Sequence, residues 1–131
     1  MEQRLLDEVM GIENELAVLE LLKDKHNGEV YKTPDCHCMD FVSDNTFYEL
    51  KSRRCNKNTY KTTMVGLNKF EFAGACDRDC IFLFKFDDGL YYYKYNRTDR
   101  FDIKIGGRKD RGKEEYKKYV YIPVEKLILF E

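Results

Sequence analysis

The chain has 131 residues, enough for one domain with a single hydrophobic core. Charged residues make up 36% of it, but 23 Lys and Arg nearly balance 24 Asp and Glu, and the net charge is −1. This balance excludes a partner selected by the overall field of the protein, so electrostatic recognition has to come from local clusters. The sequence has no transmembrane-length apolar run, and Met1 to Arg4 does not open a signal peptide. We therefore expect a soluble, intracellular protein without a membrane partner.

The first predicted element is a helix from about Arg4 to Lys25, which ends at Asn27-Gly28. Apolar side chains recur along it at spacings of three and four, and they form one stripe: Leu5, Val9, Ile12, Leu16 and Leu19. A short strand from Glu29 to Lys32 follows, and Thr33-Pro34-Asp35 turns the chain.

A β-hairpin is predicted next, because Asp44-Asn45 is a turn signal between two β-rich arms. A turn centred there pairs residues whose numbers sum to 89, which places Asp40 directly opposite Glu49. Lys51 lies two residues beyond Glu49 and therefore on the same face. Opposed carboxylates repel each other unless a cation lies between them, so this face suggests a metal site.

The other face of the hairpin carries Met39, Phe41, Tyr48 and Leu50, which are suited to core packing. Val42 and Phe47 share the face of the charges, so both faces are partly apolar and the hairpin is expected to be interior. Interior carboxylates need partners. The alternative interpretation is an ordinary hairpin with a solvated Glu–Lys pair.

The remaining chain alternates loops, one helix and strands. A loop from Asn56 to Tyr60 precedes a second helix from about Val65 to Ala75. The later segments read as strands, joined at Asp87-Asp88-Gly89 and around Gly106, Gly107 and Gly112: Cys80 to Phe86, Leu90 to Tyr95, Phe101 to Ile105, Tyr119 to Val124 and Leu127 to Phe130. The tyrosines at 91–93 and 95 suggest either base stacking or ordinary strand residues.

This order predicts a single α/β domain over residues 1–131, built around a mixed sheet. Its core covers about residues 4–95, and residues 96–131 form a C-terminal β extension. Two basic runs are candidate phosphate-binding surfaces. The first contains Lys51, Arg53, Arg54, Lys57 and Lys61; the second contains Lys104, Arg108, Lys109, Arg111, Lys113, Lys117 and Lys118.

Five cysteines are an odd number without a secretion signal, which argues against a disulfide framework. Cys36-His37-Cys38 could instead bind zinc, completed by Cys76 and Cys80. The spacings C-x-C and C-x-x-x-C differ from the usual C-x-x-C knuckles. Zinc binding is therefore kept only as an alternative.

Together, Met39-Asp40-Phe41 and Glu49-Leu50-Lys51 on paired strands resemble the PD-(D/E)XK nuclease superfamily, which has the restriction-endonuclease-like fold. The glutamate-bearing first helix, with Glu13-Asn14-Glu15-Leu16, is similar to that of Holliday-junction resolvases. The resemblance covers roughly residues 10–95 and implies an α-β-β-β-α-β core with a mixed central sheet flanked by helices, plus extra C-terminal strands. The literal Pro-Asp dipeptide is Pro34-Asp35, but Asp35 lies outside the hairpin, so Asp40 is the preferred ligand.

The resemblance implies that Asp40 and Glu49 bind a divalent metal with the backbone carbonyl of Leu50. Magnesium is expected, and manganese is expected to substitute, because both accept hard oxygen ligands. Lys51 would orient or deprotonate the attacking water. A glutamate of the first helix would assist. Glu13 and Glu15 flank the apolar stripe about equally, and the resemblance favours Glu13, with Glu15 as the alternative.

The implied activity is metal-dependent hydrolysis of DNA, either structure-specific at junctions or not, with RNA as an alternative substrate and a homodimer as one compatible assembly. A catalytically silent nucleic-acid-binding or assembly module of the same fold is the rival hypothesis. The side chains expected to contact nucleic acid are Arg53, Arg54, Lys57, Lys61 and Lys69.

Overall fold

The computed structural model describes residues 3–26, 28–35, 37–106 and 117–130. Helix α1 spans Gln3–Lys25 and helix α2 spans Leu67–Ala75. Within the described residues, neither helix combines the length and apolarity that crossing a membrane requires. Much of the second basic run, from Arg108 to Lys113, lies outside the described residues, as does Cys36.

The larger sheet has six strands in the spatial order β1-β2-β3-β5-β6-β9. These strands are β1 (Tyr31–Lys32), β2 (Phe41–Val42), β3 (Thr46–Ser52), β5 (Asp79–Phe86), β6 (Gly89–Lys94) and β9 (Ile128–Leu129). Strands β3 and β5 run parallel, and the other neighbours run antiparallel. The sheet is therefore mixed, as predicted, and β3 is an interior strand.

The smaller sheet has the order β4-β8-β7 and is antiparallel. Its strands are β4 (Thr62–Gly66), β8 (Lys117–Pro123) and β7 (Asp102–Gly106). Strand β4 was not predicted, because Thr62 and Thr63 were assigned to the approach to α2 and Val65 to the helix itself. The segment is extended since it pairs with β8, where Thr63 lies opposite Ile122 and Val65 opposite Val120.

The core has two layers, one on each side of the larger sheet. Phe82, Phe84 and Phe86 of β5 pack with residues of α2 and the smaller sheet, including Ala73 and Val120. On the other side, a second cluster joins α1 to the sheet through Val18, Leu22, Phe41, Tyr48 and Leu83. Alternate residues of β3 and β5 therefore serve different layers, as the period of a strand requires.

The apolar stripe predicted along α1 is mostly not the buried face, so this part of the prediction was wrong. Leu5, Val9, Ile12 and Leu16 are 44%, 49%, 58% and 60% exposed, respectively. The helix instead buries Val18 and Leu22, since its C-terminal half packs on the sheet. Apolar spacing identified the helix but not the stripe that the sheet covers.

Candidate active site

The predicted register of the hairpin is confirmed. Phe41 pairs with Tyr48 and Val42 with Phe47, so the next positions outward are Asp40 and Glu49. The backbone N–H of Asp40 donates to the carbonyl of Tyr48 at 2.9 Å, and the N–H of Ser43 donates to the carbonyl of Thr46 at 2.8 Å. The Ser43–Thr46 bond closes a four-residue turn and keeps the parity on which the prediction depends, whereas the Asp40–Tyr48 bond is one residue out of this register, so the regular pairing ends at Phe41.

Asp40 lies one residue before β2, where the chain leaves regular strand geometry. Its Oδ2 accepts a hydrogen bond of 2.7 Å from the backbone N–H of Leu50. The hydroxyl of Thr33 donates to the carbonyls of Met39 and Asp40, which fixes the approaching loop. Met39 was predicted to share the face of Phe41, but it packs in the opposite layer with Phe82, because the strand pairing ends before it.

Glu49 is only 2% exposed and lies between two lysines. Its Oε2 lies 3.2 Å from Nζ of Lys51 and 3.4 Å from Nζ of Lys69. Its Oε1 is buried and receives no hydrogen bond within the part of the chain that the structure describes. A buried carboxylate oxygen without a donor is costly, and a cation would satisfy it.

Burial raises the pKa of Glu49 from 4.5 to about 7. The charge of Lys51 opposes this rise, whereas Asp40 adds to it, because two neighbouring carboxylates disfavour double ionisation and the neutral form can share its proton. Lys69 also lowers the pKa of Glu49. Close to neutral pH, this pair of carboxyl groups therefore carries less than its full negative charge.

An open cleft of about 520 Å³ adjoins these groups. Its walls include Asp40, Leu50 and Lys51 from the hairpin, and Ile12 and Glu15 from α1. The cleft therefore gives a ligand in solvent access to Asp40 and Lys51, and the buried Glu49 adjoins both of these residues.

The structure favours Glu15 over Glu13 as the glutamate of the first helix. Glu15 lines the cleft and forms an ion pair of 3.1 Å with Lys32 on β1. Glu13 is exposed and is not among the residues that line the cleft. Between them, Asn14 donates to the hydroxyl of Ser52 at 3.0 Å and anchors this turn of α1 to β3. The apolar stripe left Glu13 and Glu15 about equally placed, and only the family resemblance favoured Glu13; the position of Glu15 at the cleft supports the alternative.

Two of the predicted phosphate-contacting residues make contacts within the fold. Arg53 donates from Nη2 to the carbonyl of Met64 at 2.6 Å and from Nε to Thr63 Oγ1 at 3.3 Å. It therefore ties the end of β3 to β4. Lys69 reaches Glu49 and donates to the carbonyl of Cys38, so α2 is bound to the hairpin.

Three cations remain near the surface that follows β3. Arg54 Nη2 contacts Met10 Sδ at 3.1 Å. Lys57 lies in the 3₁₀ turn Lys57–Thr59, with Nζ 5.1 Å from the centre of the Tyr91 ring. Lys61 is exposed.

Zinc binding gains no support from the described residues, which contain no group of three or more His, Cys, Asp or Glu able to hold a metal ion. His37 stacks on Phe47 with ring centres 5.3 Å apart, and its Nδ1 accepts from the N–H of Met39 at 3.0 Å. Cys80 is buried in the core, and Asp35 is exposed. A metal centre on the hairpin would therefore have two protein carboxylates, from Asp40 and Glu49, rather than a closed cage.

No feature of the sequence predicted the ion pair between Lys69 and Glu49. Lys69 was singled out only because lysines near helix starts bind phosphates. Its actual partner depends on how α2 packs, which has no local signature. The expected burial of Glu49 could have predicted a second cation, because an interior carboxylate is stabilised by cations from more than one element.

A mixed α/β sheet, flanked by helices and carrying Asp40, Glu49 and Lys51 on paired strands, defines the PD-(D/E)XK class of proteins. The chain belongs to a family of this class, because the family model described as "Phage putative PDDEXK endonuclease" matches residues 7–128. Searches of curated proteins and of solved structures gave no match. The matched range includes β7 and β8, so the family pattern extends beyond the core of about residues 4–95 expected from the sequence.

Proposed function

We propose that the protein is a divalent-metal-dependent endonuclease that hydrolyses phosphodiester bonds in DNA. The observation that carries this proposal is the pair formed by the half-buried Asp40, which lines an open cleft, and the buried Glu49, one oxygen of which lacks a donor in the described structure. Membership in a family of PD-(D/E)XK endonucleases supports the reaction class.

The donor set fits a hard divalent cation. Asp40 and Glu49 offer carboxylate oxygens, and the backbone carbonyl of Leu50 is the third protein ligand that the class implies. Two carboxylates and a carbonyl leave room for waters and a phosphate oxygen, which suits Mg²⁺, with Mn²⁺ as a substitute. When bound, such an ion supplies charge neutralisation at the scissile phosphate and acidifies a water ligand.

Lys51 is placed to handle the proton of the attacking water. Its Nζ lies 3.2 Å from Oε2 of Glu49, and its side chain is 34% exposed, so the amine lies at the boundary between the buried carboxylate and the cleft. From this boundary, the amine can orient a water molecule by accepting or donating a hydrogen bond and can stabilise negative charge that develops on the phosphate.

Lys69 and Glu15 act through other groups. Lys69 holds Oε2 of Glu49, which leaves Oε1, without a donor in the described structure, for a cation. Glu15 brings a further carboxylate to the wall of the cleft, where its ion pair with Lys32 fixes its position. Arg54, Lys57 and Lys61 hold the nucleic-acid backbone beside the cleft.

A cleavage panel tests this proposal. Purified protein is incubated with linear duplex, four-way junction, flap, gapped duplex, single-stranded DNA and RNA, each with Mg²⁺, Mn²⁺ or EDTA. We expect cleavage of DNA with either metal, none with EDTA, and none by Asp40→Ala. Glu71→Gln on the exposed side of α2 is the matched control and should cleave like the wild type. Wild-type rates in Asp40→Ala, or cleavage in EDTA, would overturn the proposal.

A further inference from the structure

A second cavity, of about 400 Å³, lies next to the cleft. Its walls are mainly apolar and include Tyr60, Met64, Phe86 and Val124. This volume lies within the range of about 300–1,000 Å³ that is typical of small-molecule sites. The cavity is therefore large enough to enclose one flat ring system.

The cavity and the cleft share Arg53, which lines both of them. The guanidinium of Arg53 is fixed to Thr63 and Met64 of β4, so it forms a rigid partition between the two spaces. The cleft and the second cavity are therefore adjacent, with the side chain of Arg53 between them. The two spaces are neighbouring parts of one surface.

The polar groups around the cavity fit a nucleotide. Lys57 lines it, Lys61 follows Tyr60 in the chain, and Thr62 contributes a hydroxyl. Tyr60 is 67% exposed, so its ring is available to a ligand that enters from solvent. An apolar space with an accessible aromatic ring and cations at its edge offers stacking for a base and contacts for its phosphate.

We propose that this cavity receives an unpaired nucleobase adjacent to the scissile phosphate. The inference depends on the proposed nuclease function and specifies its substrate class. A base within a duplex is stacked on both sides and costs a few kcal/mol to extrude. The cavity therefore favours substrates that already present an unpaired nucleotide, such as a gap, a flap or a single-stranded flank.

The test measures equilibrium binding, separately from cleavage, in a Lys51→Ala background with Mg²⁺. Fluorescein-labelled DNA is used as a fully paired duplex and as the same duplex with a short single-stranded gap. We expect the gapped form to bind about tenfold more tightly than the paired form. Adding Tyr60→Ala should remove most of this difference, whereas Tyr60→Phe should retain it because the ring is preserved.

The matched control is Tyr31→Ala, since Tyr31 is 64% exposed but lies on β1, at one edge of the larger sheet. It should leave both affinities unchanged. Photo-crosslinking with 5-iodouracil at the unpaired position should label a peptide that contains Tyr60, and the same base in a paired position should not.

Two outcomes overturn the inference and separate it from the proposed function. Equal binding of paired and gapped DNA, with no effect of Tyr60→Ala, removes the nucleobase site but leaves the nuclease proposal intact. Absence of binding to any nucleic acid removes both.

Discussion

Nζ of Lys69 on α2 lies 3.4 Å from Oε2 of Glu49 on β3, so a helix after the hairpin supplies a second cation to the buried carboxylate. Lys51 approaches the same oxygen at 3.2 Å. Both cations therefore lie at one side of Glu49, and its other oxygen is left for a ligand. This asymmetry is the arrangement that the proposed metal site requires, because one oxygen of Glu49 has no donor in the described structure.

Glu49→Gln should stabilise the metal-free protein above pH 7. The folded-state pKa of about 7 is higher than the ordinary value of 4.5, so ionised Glu49 opposes folding above pH 7, and this penalty disappears as pH falls toward 4.5. A rise of this size corresponds to about 3 kcal/mol in the free energy of unfolding. Urea denaturation in EDTA at several pH values measures it. A stability gain that persisted at pH 4.5 would contradict this origin.

Metal addition should make the wild type more stable than Glu49→Gln, the reverse of the order expected without metal. The proposed site holds Mg²⁺ through Asp40 and Glu49 in the folded state, so we expect Mg²⁺ to raise the melting temperature of the wild type. It should have little effect on Glu49→Gln, which lacks a charged ligand at this position. Differential scanning fluorimetry with and without EDTA provides the readout. Equal shifts in both proteins would indicate that the metal binds elsewhere.

Lys69→Met should move the acid limb of the pH–rate profile to higher pH. Lys69 lowers the pKa of Glu49, so its removal raises that pKa further, and a higher pH is needed to ionise the ligand. Lys69→Arg keeps the charge and should stay close to the wild-type profile. The comparison uses initial cleavage rates with Mg²⁺ across the pH range. A uniform loss of rate without a shift would mean that Lys69 only supports the fold.

Lys51→Ala should separate binding from turnover. Lys51 lies at the cleft beside Glu49, whereas Lys57 and Lys61 lie along the adjoining surface, so affinity for DNA should change less than about threefold while kcat falls by about a hundredfold or more. Fluorescence anisotropy and single-turnover cleavage measure the two quantities. If affinity and turnover fell in equal proportion, Lys51 would be only another phosphate contact.

Lys57→Gln and Lys61→Gln should each reduce the slope of log affinity against log salt by about one, because each removes one phosphate contact. The assay is anisotropy in the Lys51→Ala background at several salt concentrations. Arg53→Gln is the contrasting variant. It should leave the slope unchanged but lower stability by about 1–3 kcal/mol, since Arg53 binds Thr63 and Met64. A lower slope of log affinity against log salt in Arg53→Gln would show that Arg53 does contact a phosphate.

The hairpin could be predicted because its information is local. A turn signal at Asp44-Asn45 and the two-residue period of a strand predict pairs whose numbers sum to 89, and the structure has this register at Phe41–Tyr48 and Val42–Phe47, next to Asp40 and Glu49. The pairing of β3 with β5 was not predicted as parallel, because it joins segments that are separated by β4 and α2.

The errors concern choices that only tertiary packing makes. On α1, the stripe from Leu5 to Leu16 and the surface around Val18 and Leu22 are both apolar, and the sheet covers the second. The same choice rotates Glu15, rather than Glu13, toward the cleft. Strand β4 was missed because its hydrogen-bonding partner, β8, lies more than fifty residues later in the chain.

The parallel pairing of β3 with β5 has a consequence for the order of folding. The motif is fully synthesised once Ser52 has been added, yet Glu49 is buried against a strand that begins only at Asp79, where it lies opposite Phe82. Parallel pairing requires closure of the intervening loop, and that entropy is lost before the contacts form. A nascent chain that ends in α2 therefore displays the whole motif without its burial, and its carboxylates remain solvated. The arrangement proposed for catalysis at this hairpin thus forms only after β5 has paired with β3.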